Sequence, residues 1–251
     1  MEAKSDKSEN SYKDSLFAQL YDFVVERLGR QNLDSDLVRL CCERFGDPVL
    51  EMGCGTGLEL LPLAKMGFSV TGLDNSPQML SVFEQKLSNA EPEVRNNVQL
   101  IVGDIIDPPI NRSDFRLILF IGSQFLHLKT DEQRLGCLQN SRRLLADEGV
   151  VLICNSKLTE KLEYNWIEQP GKLDDKWILQ AQGKIVHDAY QEDLKLIPKS
   201  QGEQEHLFRW RLYPVEDAHM KELIKKSGLQ YVPLPPDMPI RPTSFFYLCK
   251  K

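Results

Sequence analysis

The chain reads as an α/β protein: a doubly wound, mostly parallel sheet of seven strands with helices on both faces, plus an antiparallel β insertion over the sheet's carboxyl edge. Three observations carry this reading. Short apolar runs alternate with segments whose apolar residues recur at helical spacing. The first of these runs opens into a glycine-rich turn that leads into a helix. After Asn155 the β-α rhythm gives way to strand-like alternation broken by polar turns.

The elements follow in order. Met1 to Lys13, rich in Ser, Lys and Glu, reads as a frayed tail, and residues 14–251 as one domain in which 156–213 form the insertion. Asp14 or Ser15 caps a helix with Leu16, Leu20, Phe23, Val24 and Leu28 as its apolar stripe. A second helix spans Asp36 to Phe45 and stops at Gly46. Pro48 to Met52 is the first strand; the turn Gly53–Gly57 and a helix to Met66 follow. Ser69 to Leu73 is the second strand. Ser76 then offers an N-cap and Pro77 the first helical position for a helix carrying Met79, Leu80, Phe83 and Leu87. Val98 to Val102 is the third strand and Phe115 to Ile121 the fourth, almost wholly apolar, as a strand covered on both faces requires. Thr130 and Gln133 form a capping box for the next helix, and Val150 to Cys154 is the fifth strand. Trp177 to Tyr213 reads as antiparallel strands turning at Gly183 and at Lys199 to Gly202. Pro214 to Lys226 reads as a helix and Ser244 to Cys249 as the last strand.

Composition narrows the function. A chain of 251 residues, 41% of them hydrophobic, buries one substantial core. The net charge of −6 and the lack of a dense basic run argue against a nucleic-acid partner. The six cysteines are scattered with no CxxC pair, so neither a zinc site nor a disulfide framework is expected, and a reducing cytoplasm is the expected location. No metal is expected. No stretch is long and apolar enough to cross a bilayer, and the polar N-terminus lacks an apolar signal region. Oligomeric state stays open.

The sharpest motif is Val49-Leu50-Glu51-Met52-Gly53-Cys54-Gly55-Thr56-Gly57. Glycines there let a ligand approach the main chain, because no Cβ intervenes. By itself such a loop also fits a dinucleotide. The GxGxG spacing and the acid Glu51 just before it point instead to a cationic ligand: S-adenosylmethionine (SAM) carries an ammonium and a sulfonium, whereas a carboxylate would repel a pyrophosphate. Asp74, about twenty residues beyond the loop at the end of the second strand, offers two oxygens to two ribose hydroxyls. Asp104, in Val102-Gly103-Asp104 at the end of the third strand, is placed to accept from the adenine amine, with Ile105 or its neighbour against the ring.

Glu51 to Gly57, Gly72 to Leu80, Gly103-Asp104, and Leu144-Leu145 followed by Gly149 resemble, in order and spacing, the motif series of class I SAM-dependent methyltransferases, a Rossmann-like family. The likeness covers Leu37 to Asn155. It implies that Gly53, Gly55 and Gly57 lie along the methionine portion of SAM, that Asp74 holds the ribose, that Asp104 faces adenine and that Glu51 turns toward the amino-acid end. Cys54, Asn75, Met79, Gly103 and Ile121 complete the expected cofactor set. Tyr21, or Phe17, on the N-terminal helix joins it as an aromatic face for the sulfonium, although a helix aromatic is more often plain core.

Beyond the fourth strand, Gly122-Ser123-Gln124-Phe125-Leu126-His127-Leu128 resembles the Ser-x-x-His-Leu-like run of small-molecule N-methyltransferases that act on aminosugars and on glycine or sarcosine. His127, with an imidazole that titrates near neutrality, is the expected general base. The Asn-Pro-Pro-Tyr of amino-directed DNA methyltransferases is missing at this point. Arg209 and Arg211, on the polar side of an alternating strand, and Arg241, among prolines, are expected to clamp an anionic group of the acceptor or else to be solvated. Taken together, the expectation is methyl transfer to a nitrogen or oxygen of a small polar metabolite. A protein side-chain methyltransferase or a non-catalytic SAM-binding subunit are the alternatives.

Overall fold

In the computed structural model, residues 11–30, 34–158, 163–169, 176–200 and 202–251 are described. The chain divides into two compact units. One draws on residues 1–31 and 158–214, the other on 32–157 and 215–251.

The larger unit is the α/β body. Its helices are α2 (Ser35–Phe45), α3 (Leu60–Lys65), α4 (Pro77–Ser88), α5 (Pro92–Asn96), α6 (Asp131–Leu144) and α7 (Asp217–Lys226), numbered after α1 (Ser15–Arg27) of the other unit. Its strands are β1 (Val49–Met52), β2 (Val70–Asp74), β3 (Val98–Val102), β4 (Phe115–Phe120), β5 (Leu145–Ser156), β10 (Gln230–Val232) and β11 (Ser244–Lys250). They form one seven-stranded sheet in the order β10-β11-β5-β4-β1-β2-β3. β1 to β5 run parallel, while β11 runs antiparallel to β5 and β10 antiparallel to β11. This is the mostly parallel, seven-stranded sheet read from the sequence. Chain order reverses between β1 and β4, and ligands of such sheets bind outside the strand carboxyl ends at that switch point.

Each face of the sheet has its own core. Leu138, Leu144, Met220, Leu223 and Ile224 of α6 and α7 pack with Ile118, Phe120, Val151 and Ile153 on one side. Leu37, Cys41, Leu60, Leu63, Leu80 and Phe83 of α2, α3 and α4 pack with Val49, Leu117, Leu119 and Leu152 on the other. Local signals act as expected. Ser76 Oγ accepts the Met79 N–H at the start of α4, and Thr130 with Gln133 closes a full capping box on α6. The helix expected from Pro214 begins instead at Asp217, because Glu216 holds the extended backbone of an N-cap. α5, β10 and β6 (Tyr164–Glu168) escape sequence reading, being too short to show a period.

The smaller unit is a four-stranded antiparallel sheet, β6, β7 (Trp177–Val186), β8 (Ala189–Pro198) and β9 (His206–Leu212), in that order, with α1. Within the tail expected through Lys13, Ser11–Lys13 make a 3₁₀ turn, and the Ser11 hydroxyl both donates to the Arg209 carbonyl and accepts the Arg209 N–H. Met1 to Asn10 lie outside the described residues. The turn expected at Gly183 is at His187-Asp188, where His187 takes φ of 57° between the paired Val186 and Ala189. Gly183 lies mid-strand, in register with Tyr164 on one side and Glu192 on the other, and the bare position lets the Tyr164 hydroxyl donate across it to Glu192 at 2.9 Å. Among the described residues, no helix is long and apolar enough to cross a membrane.

Candidate cofactor site

The glycine loop leaves β1 at the switch point, and neighbouring side chains fill the spaces its missing side chains leave. A Cβ on Gly57 would collide with the Phe83 ring, and one on Gly53 would lie 2.8 Å from Gln124 Oε1. Gly55 differs. Its nearest neighbour there is Met79 Cε at 3.4 Å, and its φ of +53° lies in the left-handed region. Gly55, itself buried, needs glycine for its left-handed backbone, while Gly53 and Gly57 serve close packing.

Three acids surround this loop. Asp74, at the end of β2, accepts the Gly55 N–H on Oδ2 and the Ser76 N–H on Oδ1, each at 2.8 Å, which locks the loop to the start of α4. Burial holds its carboxyl above the usual range, although the backbone donors pull the other way. With the Asn75 N–H also set against it, the carboxylate keeps an acceptor direction for a ligand hydroxyl. Glu51, in β1, is only 4% exposed, and its Oε2 has no hydrogen-bond partner. Burial, followed by the nearby negative charges of Glu59 and Asp74, pushes its carboxyl well above the ordinary range. Glu59 stands at the N-cap of α3 and accepts from the Ser35 hydroxyl at 2.9 Å; burial raises it too.

Four of the loop's N–H donors are already committed. The N–H groups of Gly53 and Cys54 both go to the Leu73 carbonyl, that of Gly55 to Asp74, and that of Gly57 to the Cys54 carbonyl. A pyrophosphate needs free backbone donors and a positive helix end; here four of the loop's N–H groups are spent and an acid is seated at the start of α3. A buried carboxylate oxygen lacking a donor calls for a cation instead. The residues fit the ammonium and sulfonium of SAM and not a dinucleotide.

The comparisons agree. A methyltransferase domain family matches residues 49–149. Among curated relatives, the glycine/sarcosine N-methyltransferase of Parasynechococcus marenigrum (strain WH8102) is 25% identical over 231 residues, covering 86% of this chain and 75% of that protein. EEF1A lysine methyltransferase 2 of Mus musculus is 34% identical over 122 residues, 46% of this chain and 49% of that protein. The chain spans 39% and 40% of the length of the first two curated relatives it matches. The fold matches the solved sugar N-methyltransferase KedS8 from Streptoalloteichus sp ATCC 53650 with a TM-score of 0.77 at 15% identity, over 100% of this chain and 96% of that one. The chain carries a SAM-dependent methyltransferase domain.

The other expected residues of this methyltransferase domain fall in several places. Met79 is buried against Gly55, and Cys54 is buried with its Sγ where a Cβ on Gly72 would lie 2.6 Å away. Asn75 is exposed beside Asp74. Asp104 is exposed and accepts the Ile106 N–H at 2.8 Å, shaping the turn after β3. Gly103 gives its bare Cα to Pro109 and Leu73, a packing reason for glycine that needs no ligand. Ile105 is half-buried against the α6 core, and Ile121 is buried at the end of β4. His127 closes a 3₁₀ turn, Gln124–His127, just beyond β4 and is half-buried.

The three arginines have protein partners. Arg241 makes a two-point ion pair with buried Asp34 (Nε to Oδ1 2.9 Å, Nη2 to Oδ2 2.7 Å), and the Cys154 thiol donates to the same carboxylate at 3.1 Å. Arg209 pairs with buried Asp193, which Lys184 also reaches, and Arg211 donates to Gln191. In the smaller unit Tyr21 packs edge-on to Tyr12 and Phe17, whose ring lies 4.8 Å from that of Phe208. Sequence reading missed Glu59, which carries no motif, and Gln124, whose contact with Gly53 joins residues 71 positions apart. Among the described residues, no cluster of His, Cys, Asp or Glu is arranged to hold a metal.

Proposed function

We propose that the chain methylates a nitrogen of a small polar metabolite. When bound, SAM supplies a methyl group on a sulfonium, which leaves as a neutral thioether once the methyl is transferred. Glu51 accepts from the α-ammonium, Asp74 accepts from the ribose hydroxyls with its remaining lone pairs, Met79 and Ile121 give apolar contact, and Gly55 allows close approach. An amine acceptor is protonated near neutral pH and must lose a proton before its lone pair can attack. His127, carried past β4 on the 3₁₀ turn, takes that proton, an effect worth roughly a hundredfold to ten-thousandfold in rate.

The observation that carries the reading is the half-buried imidazole at the carboxyl end of β4, the strand next to the glycine loop's own. The extended likeness to a glycine/sarcosine N-methyltransferase supports nitrogen and a small acceptor. A second reading, methylation of a protein lysine, draws on the shorter likeness to EEF1A lysine methyltransferase 2. Incubation with methyl-labelled SAM and, separately, a pool of small amines or a protein extract tests both. Label in a small amine with formation of S-adenosylhomocysteine supports the first reading; label confined to protein overturns it. His127→Ala is expected to cut turnover at least a hundredfold and to change SAM affinity less than twofold. Loss of both together would make His127 structural.

A further inference from the structure

SAM's amino-acid end is a zwitterion, and Glu51 answers only its ammonium. The α-carboxylate needs donors, yet the N–H groups of Gly53, Cys54, Gly55 and Gly57 are spent on Leu73, Asp74 and Cys54. Lys86, which also meets the loop, gives one of its three N–H donors to the Thr56 carbonyl at 2.8 Å. Phe83 and Met79 meet the loop with apolar atoms, whereas Gln124 meets it with a polar group: its Oε1, Cδ and Cγ fall 2.8, 2.9 and 3.0 Å from where a Gly53 Cβ would stand. It is half-buried, and a carboxamide carries two N–H donors.

The turn that delivers it is unusual. Gly122 and Ser123 both have positive φ, 65° and 67°, and Ser123 is one of two non-glycine residues among those described in that region. A serine held there needs surroundings that fix it. Ser123 is buried. Its N–H goes to the Cys154 carbonyl, its Oγ accepts the Ser156 N–H at 2.9 Å, and its hydroxyl meets that of Ser156 at 2.9 Å. The carboxyl ends of β4 and β5 are thereby tied together, and the next residue is Gln124.

We propose that Gln124 is the side-chain donor that binds the α-carboxylate of SAM, and that the Ser123–Ser156 hydroxyl pair is the positioning device that aims it. The proposal rests on the cofactor reading and assigns the recognition of one group within it. Calorimetric titration with SAM and with decarboxylated SAM, which lacks only the carboxylate, tests it without any acceptor. Gln124→Ala should weaken SAM about tenfold, the lower end for a hydrogen bond to a charged group, and leave decarboxylated SAM within twofold. Gln124→Glu keeps the shape and reverses the electrostatics, so it should prefer decarboxylated SAM to SAM. Ser123→Ala should weaken SAM by a few fold and add nothing in the Gln124→Ala background, because the serine acts through the glutamine.

Wild-type affinity in Gln124→Ala, or equal losses for both nucleosides, overturns the assignment. Should Gln124→Ala fail to fold, the relative preference of Gln124→Glu decides alone, and an unchanged preference overturns it. Failure of the wild-type chain to bind SAM in the same titration overturns the cofactor reading and this assignment with it.

Discussion

Replacing Glu51 by Gln keeps the shape of a buried side chain and removes its ability to become an anion. The wild-type carboxyl is 4% exposed, has an oxygen with no protein donor, and faces Glu59 and Asp74, both of its own sign. Its raised pKa means that, without cofactor, ionisation lowers stability as pH climbs past the unfolded-state value; the variant escapes that cost. Its melting temperature at pH 8 should therefore equal or exceed the wild type's. Binding goes the other way. A hydrogen bond between the carboxylate and the SAM ammonium is worth about 1.5–3 kcal/mol, so Glu51→Gln should weaken SAM about 10- to 150-fold. The ammonium stabilises the ionised carboxylate, so binding to the wild type releases a proton. Wild-type affinity should then rise with pH below the raised pKa, by up to about tenfold per unit, and the variant's should stay flat. Calorimetry in two buffers of different ionisation enthalpy counts the proton, and thermal melts give the stability. Unchanged SAM affinity in the variant, or a melt lowered by several degrees, would show that the carboxyl serves the fold and not the cation.

Other outcomes follow from the same geometry. Gly55→Val places a branched side chain at φ +53° with Met79 Cε 3.4 Å from its Cβ, and SAM binding in a titration should be lost. Asp74→Ala strips the acceptor from the Gly55 and Ser76 N–H groups; it should lower stability by about 1–3 kcal/mol in a denaturant melt and weaken SAM more than tenfold. In the smaller unit, Glu192 is 1% exposed on its side chain and receives Arg30 at two points, while Arg30 is 43% exposed. Removing the arginine strands a buried carboxylate, whereas removing the carboxylate leaves an arginine able to turn to water. Arg30→Ala should thus cost more, about 3 kcal/mol against under 2 for Glu192→Ala; the reverse order in chemical denaturation would contradict this account of the pair.

Much of the α/β body was legible because each of its signals is local. Apolar runs mark β1 to β5, the Ser76-Pro77 and Thr130/Gln133 caps start α4 and α6, and the glycine loop announces the strand-to-helix turn. The antiparallel strands were legible as alternation, but not their turns: Gly183 attracts a turn reading through its residue type, yet its role is set by Tyr164 and Glu192 on neighbouring strands. The same limit holds in the site. Glu51 and Asp74 were visible from motif and spacing, whereas their acceptor chemistry was only half visible, since Asp74's commitment to two N–H groups depends on folded geometry. Gly103 was read as a ligand contact because the packing of Pro109 against it cannot be seen in one dimension. The arginines looked available for an acceptor because Arg241's partner Asp34 lies 207 positions away, and Arg209 and Arg211 meet Asp193 and Gln191 only once β8 and β9 are paired.

The most direct test of the central claim is a paired calorimetric titration of the wild-type chain with SAM and with a nicotinamide dinucleotide. The account predicts saturable binding of SAM at one site, with uptake of the dinucleotide below detection, because four of the loop's N–H groups are spent and acids surround it. Tight binding of the dinucleotide with no heat from SAM would contradict it.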